Sequence, residues 1–224
     1  MKALAVAALA SLVSWAAAGG GQAAPGVSAV HGNITCAGAH GRRVLTRDGK
    51  DSEPILSPDG HTIAFIHQLK PTPEPDFPEE AVNSLWLGDC ATGRIRQLAA
   101  PASDKDLFAS MGAPTFSVDG RLVYVTLVPG GDYLTVDQVD VLTGQHRFVV
   151  DAELEGVIRN GPYRGDLLAT QHTDLVDRSG QHYGGYPFYV FRPDGTPVMR
   201  IARSEYWKKG DLDGWLRARH WRVR

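Results

Sequence analysis

The chain has 224 residues, of which 43% are hydrophobic and 21% are charged, as expected for a globular domain with a substantial core. A formal net charge of -2 provides no general attraction to nucleic acid or anionic lipid, which argues against a nucleic-acid-binding protein. The 25 glycines and 14 prolines indicate many turns. Composition therefore favours one turn-rich domain without a nucleic-acid partner.

Residues 1–24 have the pattern of a signal peptide. Lys2 precedes the apolar run Ala3–Ala18, which is too short and too rich in alanine for a stable membrane span, and small residues would permit cleavage after Ala18 or Ala23. We therefore expect a periplasmic or secreted protein that does not span the membrane after cleavage, with its folded domain over residues 25–224. A retained N-terminal anchor is the alternative.

Cys36 and Cys90 are the only cysteines. Two cysteines in an exported protein most often form one disulfide. The alternative is a free nucleophile or metal ligand, but neither residue lies in a Cys-x-x-Cys pair or beside a histidine. A bridge would close a loop of about 54 residues and stabilise the fold by roughly 4 kcal/mol.

Two stretches, residues 53–66 and 113–126, predict β-hairpins of one type. In the first, Ser57-Pro58-Asp59-Gly60 separates two apolar runs, and in the second Ser117-Val118-Asp119-Gly120 does the same. The aspartate can bond its own backbone and the glycine accepts a positive φ, so both segments favour tight turns between strands.

The segment 69–82 interrupts this pattern with four prolines and four acidic residues. Such a segment can form neither a helix nor a central strand. We expect an exposed insertion that joins two strands of one unit. It is either a passive loop or an acidic arm that contacts a partner or covers the binding face.

A second type of unit, strand–turn–strand, occurs four times. Its turn glycines are Gly41, Gly93, Gly144 and Gly195, which follow one another at intervals of 52, 51 and 51 residues. Short strands at this period predict a β-propeller. The C-terminal copy is ambiguous, because residues 215–221 could form a strand while a short helix across residues 213–219 competes with it.

The first hairpin and the strands after it resemble the TolB-type propeller repeat. The motif matches at Leu45-Thr46, Pro54, residues 57–60, Ile63-Ala64-Phe65 and Leu85-Trp86-Leu87. The resemblance implies a β-propeller. This chain's own units, three full blades with a half-blade at each end, predict a small all-β propeller of four blades with the last closed by N- and C-terminal strands. The alternative is an open half-propeller completed by dimerisation.

No catalytic motif accompanies these repeats. The sequence lacks a Gly-x-Ser-x-Gly elbow, a phosphate loop and a His-x-His or His-x-x-x-His pair, so we expect no cofactor and no metal. His61 and His67 fall on one face of a strand, where a solvated pair is favoured over a metal pair. Asp211-Leu212-Asp213-Gly214 begins like a calcium loop but lacks its later ligands.

Candidate recognition residues cluster in a long polar, glycine-interrupted loop after the third hairpin and near the C-terminus. They are His172, Asp174, His182, Tyr183, Tyr186, Glu205, Tyr206 and Trp207. Aromatic and polar side chains of this kind are typical of interface anchors. The alternative is that the rings pack between blades.

Two functions remain open from sequence. The first is a non-enzymatic binding protein that recognises a protein or envelope polymer in the periplasm. A homodimer of this protein is one of the partner arrangements that the sequence leaves open. The second is a hydrolase or lyase of envelope sugars or peptides, with His172, Asp174 and Glu205 as acid–base groups. For the second function these side chains must converge within hydrogen-bond distance.

Overall fold

The computed structural model describes residues 26–38, 41–71, 81–103, 110–130, 133–176, 179–201 and 209–223. Within these ranges the strands are β1 (Gly26–Val30), β2 (Asn33–Gly38), β3 (Gly41–Val44), β4 (Asp51–Leu56), β5 (Thr62–Lys70), β6 (Val82–Asp89), β7 (Ile95–Ala99), β8 (Met111–Phe116), β9 (Leu122–Gly130), β10 (Tyr133–Asp140), β11 (His146–Val150), β12 (Glu153–Val157), β13 (Leu167–Thr170), β14 (Thr173–Val176), β15 (His182–Gly185), β16 (Phe188–Phe191) and β17 (Pro197–Arg200). The helix α1 spans Lys209–Ala218.

Three antiparallel sheets of four strands form the blades. The first blade is β4-β5-β6-β7, the second is β8-β9-β10-β11, and the third is β12-β13-β16-β17. A three-stranded sheet, β1-β2-β3, precedes them, and the hairpin β14-β15 is inserted within the third blade. The predicted all-β propeller class is confirmed.

The first and second blades open with the same turn. Ser57 Oγ donates to Asp59 Oδ1 over 2.6 Å and accepts the Thr62 N–H at 2.9 Å. Ser117 makes the corresponding bonds to Asp119 and Leu122 at 2.6 and 3.0 Å. Gly60 and Gly120 have φ values of 79° and 73°, the positive φ that glycine adopts without strain. Both turns form as the sequence predicts.

Both blades also carry a β-bulge near the start of their first strand. The residues with positive φ are Glu53, at 51°, and Ala113, at 49°. The Glu53 carboxylate accepts a hydrogen bond from the Ala113 N–H, so the bulge of the first blade is hydrogen-bonded to the bulge of the second. This contact ties the first strands of neighbouring blades together.

Apolar side chains fill the spaces between neighbouring sheets. One buried cluster lies between the first two blades and includes Leu85, Phe116 and Val125, and a second lies between the second and third and includes Tyr124 and Leu167. Adjacent blades pack face to face because each strand presents alternate apolar residues. The core is therefore a series of interfaces between blades.

The N-terminal sheet differs from the prediction by one strand. Strand β1 pairs with β2 from Gly26–Ala37 to Val30–Asn33, whereas the sequence predicts only the strand–turn–strand unit around Gly41. Most of β1 is exposed, so it lacks the apolar alternation that would have identified it. The predicted disulfide is present: Cys36 of β2 and Cys90 after β6 have a Cα–Cα distance of 6.1 Å.

The C-terminal segment forms the helix that competed with a strand in the prediction. After α1, Val223 makes a single antiparallel bridge to Ile158 of the third blade, and Arg222 O accepts the Arg159 N–H at 2.8 Å. Among the described residues, no C-terminal strand pairs with the N-terminal sheet. The expected closure by terminal strands is therefore not seen here, because α1 packs Leu212 against the third blade instead.

Two predicted segments fall partly or wholly outside the described residues. They are the signal peptide and residues 72–80 of the proline-rich insertion. On either side of that insertion, β5 and β6 pair with each other along their length. No helix in the described ranges is long and apolar enough to cross a membrane.

Candidate functional site

One face of the propeller carries the connections between the second and third strands of each blade, and we call it the connection face. The second strands end there at Lys70, Gly130 and Thr170. Two hydrogen bonds join neighbouring blades near this face. Between the first and second blades, Asn83 Nδ2 donates to Met111 O at 3.0 Å. Between the second and third blades, Thr126 Oγ1 accepts the Leu154 N–H at 3.3 Å. Residues from different blades can therefore meet there.

A groove of about 190 Å³ opens between the second and third blades on the connection face. Asp151 and Glu153 enter it from the start of the third blade, and Thr170 and Gln171 from the end of its second strand. The Gln171 Nε2 donates to Asp151 O at 2.9 Å. The groove is thus lined by two carboxylates and several uncharged polar groups.

His172 and Tyr186 form the aromatic rim of this groove. Their ring centroids are 5.2 Å apart at an interplanar angle of 60°. Both residues are exposed, and Tyr186 retains 43% of its surface. Two exposed rings at this distance present a flat surface on which a ligand can stack.

Gly184 makes room for the His172 ring. A Cβ atom at position 184 would lie 2.8 Å from His172 Nε2, closer than non-bonded atoms approach. The glycine thereby permits His172 to lie over the hairpin β14-β15. The sequence pattern showed glycines in this region but gave no reason for them.

Thr170 provides a polar atom at the groove floor. The residue is 1% exposed, and its Oγ1 is buried without a hydrogen-bond partner among the described residues. A buried hydroxyl without a partner costs free energy. Because Thr170 lines the groove, a ligand or solvent atom that enters could satisfy this hydroxyl.

The structure brings together some of the predicted site residues. Asp174 pairs with Gly184, and His182 pairs with Val176, in the hairpin β14-β15. Alternate residues of a hairpin share a face, so Asp174 and His182 lie on the same hairpin face as His172 and Tyr186. The predicted loop is therefore a hairpin that presents four of the candidates on one side.

The other candidates are Tyr183 and three residues near the C-terminus. Tyr183 pairs with Leu175 at the alternate register position. Glu205, Tyr206 and Trp207 lie outside the described residues, so they stay predictions. Sequence reasoning missed Asp151, Glu153 and Thr170, because only the packing of the third blade against the second brings them to the groove.

The comparisons with known proteins identify the fold. No protein-family model and no curated protein matches the sequence. Among solved structures, dipeptidyl peptidase 4 of Porphyromonas gingivalis is similar with a TM-score of 0.55 and 11% identity, over 81% of this chain and 31% of that one. The tricorn protease is similar with a TM-score of 0.53 and 13% identity, over 81% and 16%.

The putative TolB from Agrobacterium tumefaciens matches with a TM-score of 0.46 and 15% identity, over 75% of this chain and 55% of that one. The chain thus spans less than a third of the two proteases and about half of the TolB protein. At these identities the first two similarities show a β-propeller fold and nothing about activity. The TolB-type repeat itself stays a prediction.

Proposed function

We propose that the chain is an exported, non-enzymatic propeller protein that recognises a partner protein or an envelope polymer through the groove. One observation carries this proposal: the exposed His172–Tyr186 pair lines the same groove as the Thr170 hydroxyl, which has no hydrogen-bond partner among the described residues. An apolar ring surface next to an unsatisfied polar atom is the combination that binding sites use for affinity and orientation.

The charged side chains of the groove indicate which chemical class of ligand it would bind. Asp151 and Glu153 lie on the third-blade side of the groove, and both are exposed. A segment that carries hydrogen-bond donors or positive charge would meet these carboxylates while it stacks on Tyr186. Electrostatic complementarity of this kind contributes mainly to specificity and association rate.

Export is part of the proposal. The Cys36–Cys90 disulfide is typical of proteins in oxidising compartments such as the periplasm. The signal-peptide pattern of residues 1–24 agrees with it. A periplasmic or secreted location would place the groove among envelope proteins and polymers.

The hydrolase or lyase alternative lacks a site in the described residues. His172 and Asp174 share a hairpin face, but no hydrogen bond joins them in the part of the chain that the structure describes. Glu205 lies outside that part. General acid–base chemistry requires such groups to converge on one reacting centre, so we favour binding.

The test is capture from an envelope extract by the immobilised chain after chemical cross-linking. We expect a component that is retained by the wild type and by Phe148→Ala, a change on the exposed outer strand β11, but reduced more than ~10-fold by Tyr186→Ala. Protease treatment of the extract should abolish capture of a protein and spare capture of a polymer. Equal capture by both variants would overturn the proposal.

Gly184→Ala provides a finer test of the same surface. The new methyl group would displace the His172 ring without removing any polar atom from the groove. We expect capture to fall by less than with Tyr186→Ala, with unchanged circular dichroism. No effect of Gly184→Ala would show that the position of His172 is unimportant to recognition.

A further inference from the structure

A second cluster on the connection face lies in the first blade, away from the groove. Asp51 on β4 and His67 on β5 are direct cross-strand partners. His67 Nδ1 lies 2.8 Å from Asp51 Oδ1 and 3.7 Å from Asp48 Oδ2. One ligand-type atom from each of the three residues falls within 4.8 Å of the others.

The buried carboxylate of this cluster has an unmet interaction. The Asp51 side chain is 1% exposed, and its Oδ2 has no hydrogen-bond partner among the described residues. His67 Nδ1 carries at most one proton and can donate one hydrogen bond. This one proton cannot serve both carboxylates, and Asp51 Oδ2 is left without a donor among the described residues.

The fold does not require an ionisable pair at this position. In the second blade, the corresponding cross-strand partners are Met111 and Leu127, which are 2% and 4% exposed. Each pair lies next to the β-bulge of its own blade. In each blade the first strand is followed by a Ser-x-Asp-Gly turn. An apolar pair thus serves the blade structure, so the aspartate and histidine of the first blade need another explanation.

We propose that Asp48, Asp51 and His67 form a divalent metal site that prefers Zn²⁺ to Ca²⁺ or Mg²⁺. An imidazole nitrogen with two carboxylates is a ligand set for Zn²⁺, whereas Ca²⁺ and Mg²⁺ favour oxygen alone. The two carboxylates balance the charge of the ion.

The distances and the surroundings suit such an ion. Two atoms bound to one Zn²⁺ at tetrahedral angles lie roughly 3.4 Å apart, between the 2.8 and 3.7 Å that separate Nδ1 from the two carboxylates. Ser84 Oγ donates to His67 O at 3.3 Å, and the Trp86 ring lies 5.4 Å from the imidazole. These contacts hold the histidine in place before the metal binds.

Asp48 is the adjustable ligand. Its side chain is 49% exposed, against 18% for His67, so it can move toward an ion without disturbing the core. With three protein ligands, the ion would keep one position open to water or to another ligand. The site thus goes beyond the binding function proposed for the groove and does not depend on it.

The experiment is calorimetric titration of the metal-free full chain with ZnSO₄, using Asp51→Met/His67→Leu as the test variant. This double change installs the pair that the second blade already uses, so the variant is expected to fold. The control is His61→Ala, an exposed histidine at the other end of β5. Circular dichroism checks the fold of each protein.

We expect one high-affinity equivalent of Zn²⁺ for the wild type and for His61→Ala, and affinity more than ~100-fold weaker for the double variant. Nitrogen-15 shifts of the imidazole should show Nδ1 coordination. Equal Zn²⁺ affinity in the double variant, or tighter binding of CaCl₂ or MgCl₂ than of ZnSO₄ by the wild type, would overturn the proposal.

Discussion

The first and second blades share a backbone design but differ at the connection face. Their opening turns have the same hydrogen bonds, and their bulges stand at the same register. At the connection face, however, the first blade pairs Asp51 with His67 and the second pairs Met111 with Leu127. The turn and bulge therefore specify the blade, while the strand ends at the connection face are free to vary.

This difference distinguishes residues that the blade structure requires from residues that are available for function. Serine, aspartate and glycine recur where the backbone requires a turn, and apolar residues recur where blades pack. A position that is apolar in one blade and ionisable in the next is not fixed by the backbone design that the two blades share. The third blade has Glu153 and Thr170 as the corresponding partners, and these two residues line the groove.

The largest expected effect concerns the disulfide, which the first blade has and the second lacks. Replacing both cysteines, Cys36→Ser/Cys90→Ser, should lower the free energy of unfolding by about 4 kcal/mol, because the bridge closes a long loop in the unfolded chain. Urea denaturation of both proteins measures the difference. A loss below ~1 kcal/mol would mean that blade packing alone fixes the N-terminal sheet.

Exchanging the pairs between blades should give unequal costs. Met111→Asp/Leu127→His places ionisable groups in the apolar cluster between the first two blades, and should cost about 3 kcal/mol or more. The reverse change, Asp51→Met/His67→Leu, should stay within ~1 kcal/mol in metal-free buffer. Denaturation with EDTA present measures both, and equal costs would show that the Asp51–His67 pair is structural.

Removing the turn serine should affect the two blades alike. Ser57→Ala and Ser117→Ala each delete one hydroxyl that donates to an aspartate and accepts a backbone N–H. Each change should cost about 1 kcal/mol. If thermal unfolding shows that one costs far more than the other, the two turns are not energetically equivalent despite their matching geometry.

The smallest expected effect is a pH dependence shared by both turns. The Ser57 hydroxyl and the His61 N–H hold the pKa of Asp59 below its ordinary value of 3.8. The Ser117 hydroxyl is the main cause of the same lowering of the Asp119 pKa. A carboxylate with a depressed folded-state pKa stabilises the fold above its unfolded pKa, and this contribution is lost as pH falls through the folded value.

Both aspartates are exposed, so solvent screening keeps this contribution small. Asp59→Asn/Asp119→Asn should therefore slightly reduce the fall in melting temperature between about pH 5 and pH 2.5. Calorimetry across that range checks the expectation. An unchanged slope in the double variant would assign acid sensitivity to other groups.

Much of the blade framework could be predicted because its signals are local. The turn glycines, the Ser-x-Asp-Gly segments and the paired cysteines are each read from a few neighbouring residues. Exposed elements were harder to identify: β1 carries no apolar stripe, and β14-β15 is so rich in glycine that it resembled a loop. The C-terminal segment was predicted to supply closing strands, with a helix as the competitor, and the structure has the helix, packed through Leu212 on the third blade.

Site residues were predicted less completely because they are assembled over long distances. His172 and Tyr186 stood out by residue type, but Thr170 and Glu153 did not. Asp51 and His67 are 16 residues apart, and only their pairing across β4 and β5 joins them. Sequence patterns identify candidates within one segment, and the three-dimensional fold decides which segments meet.

The Cys36–Cys90 bridge also determines how the chain would respond to tension applied between its two ends. Force would pass through the sulfur–sulfur bond and bypass the 53 residues from Ala37 to Asp89, so all of the first blade except β7 would stay unstretched. In a reducing medium the same pull would release roughly 180 Å of additional chain length. Single-molecule extension with and without reductant would measure this hidden length directly.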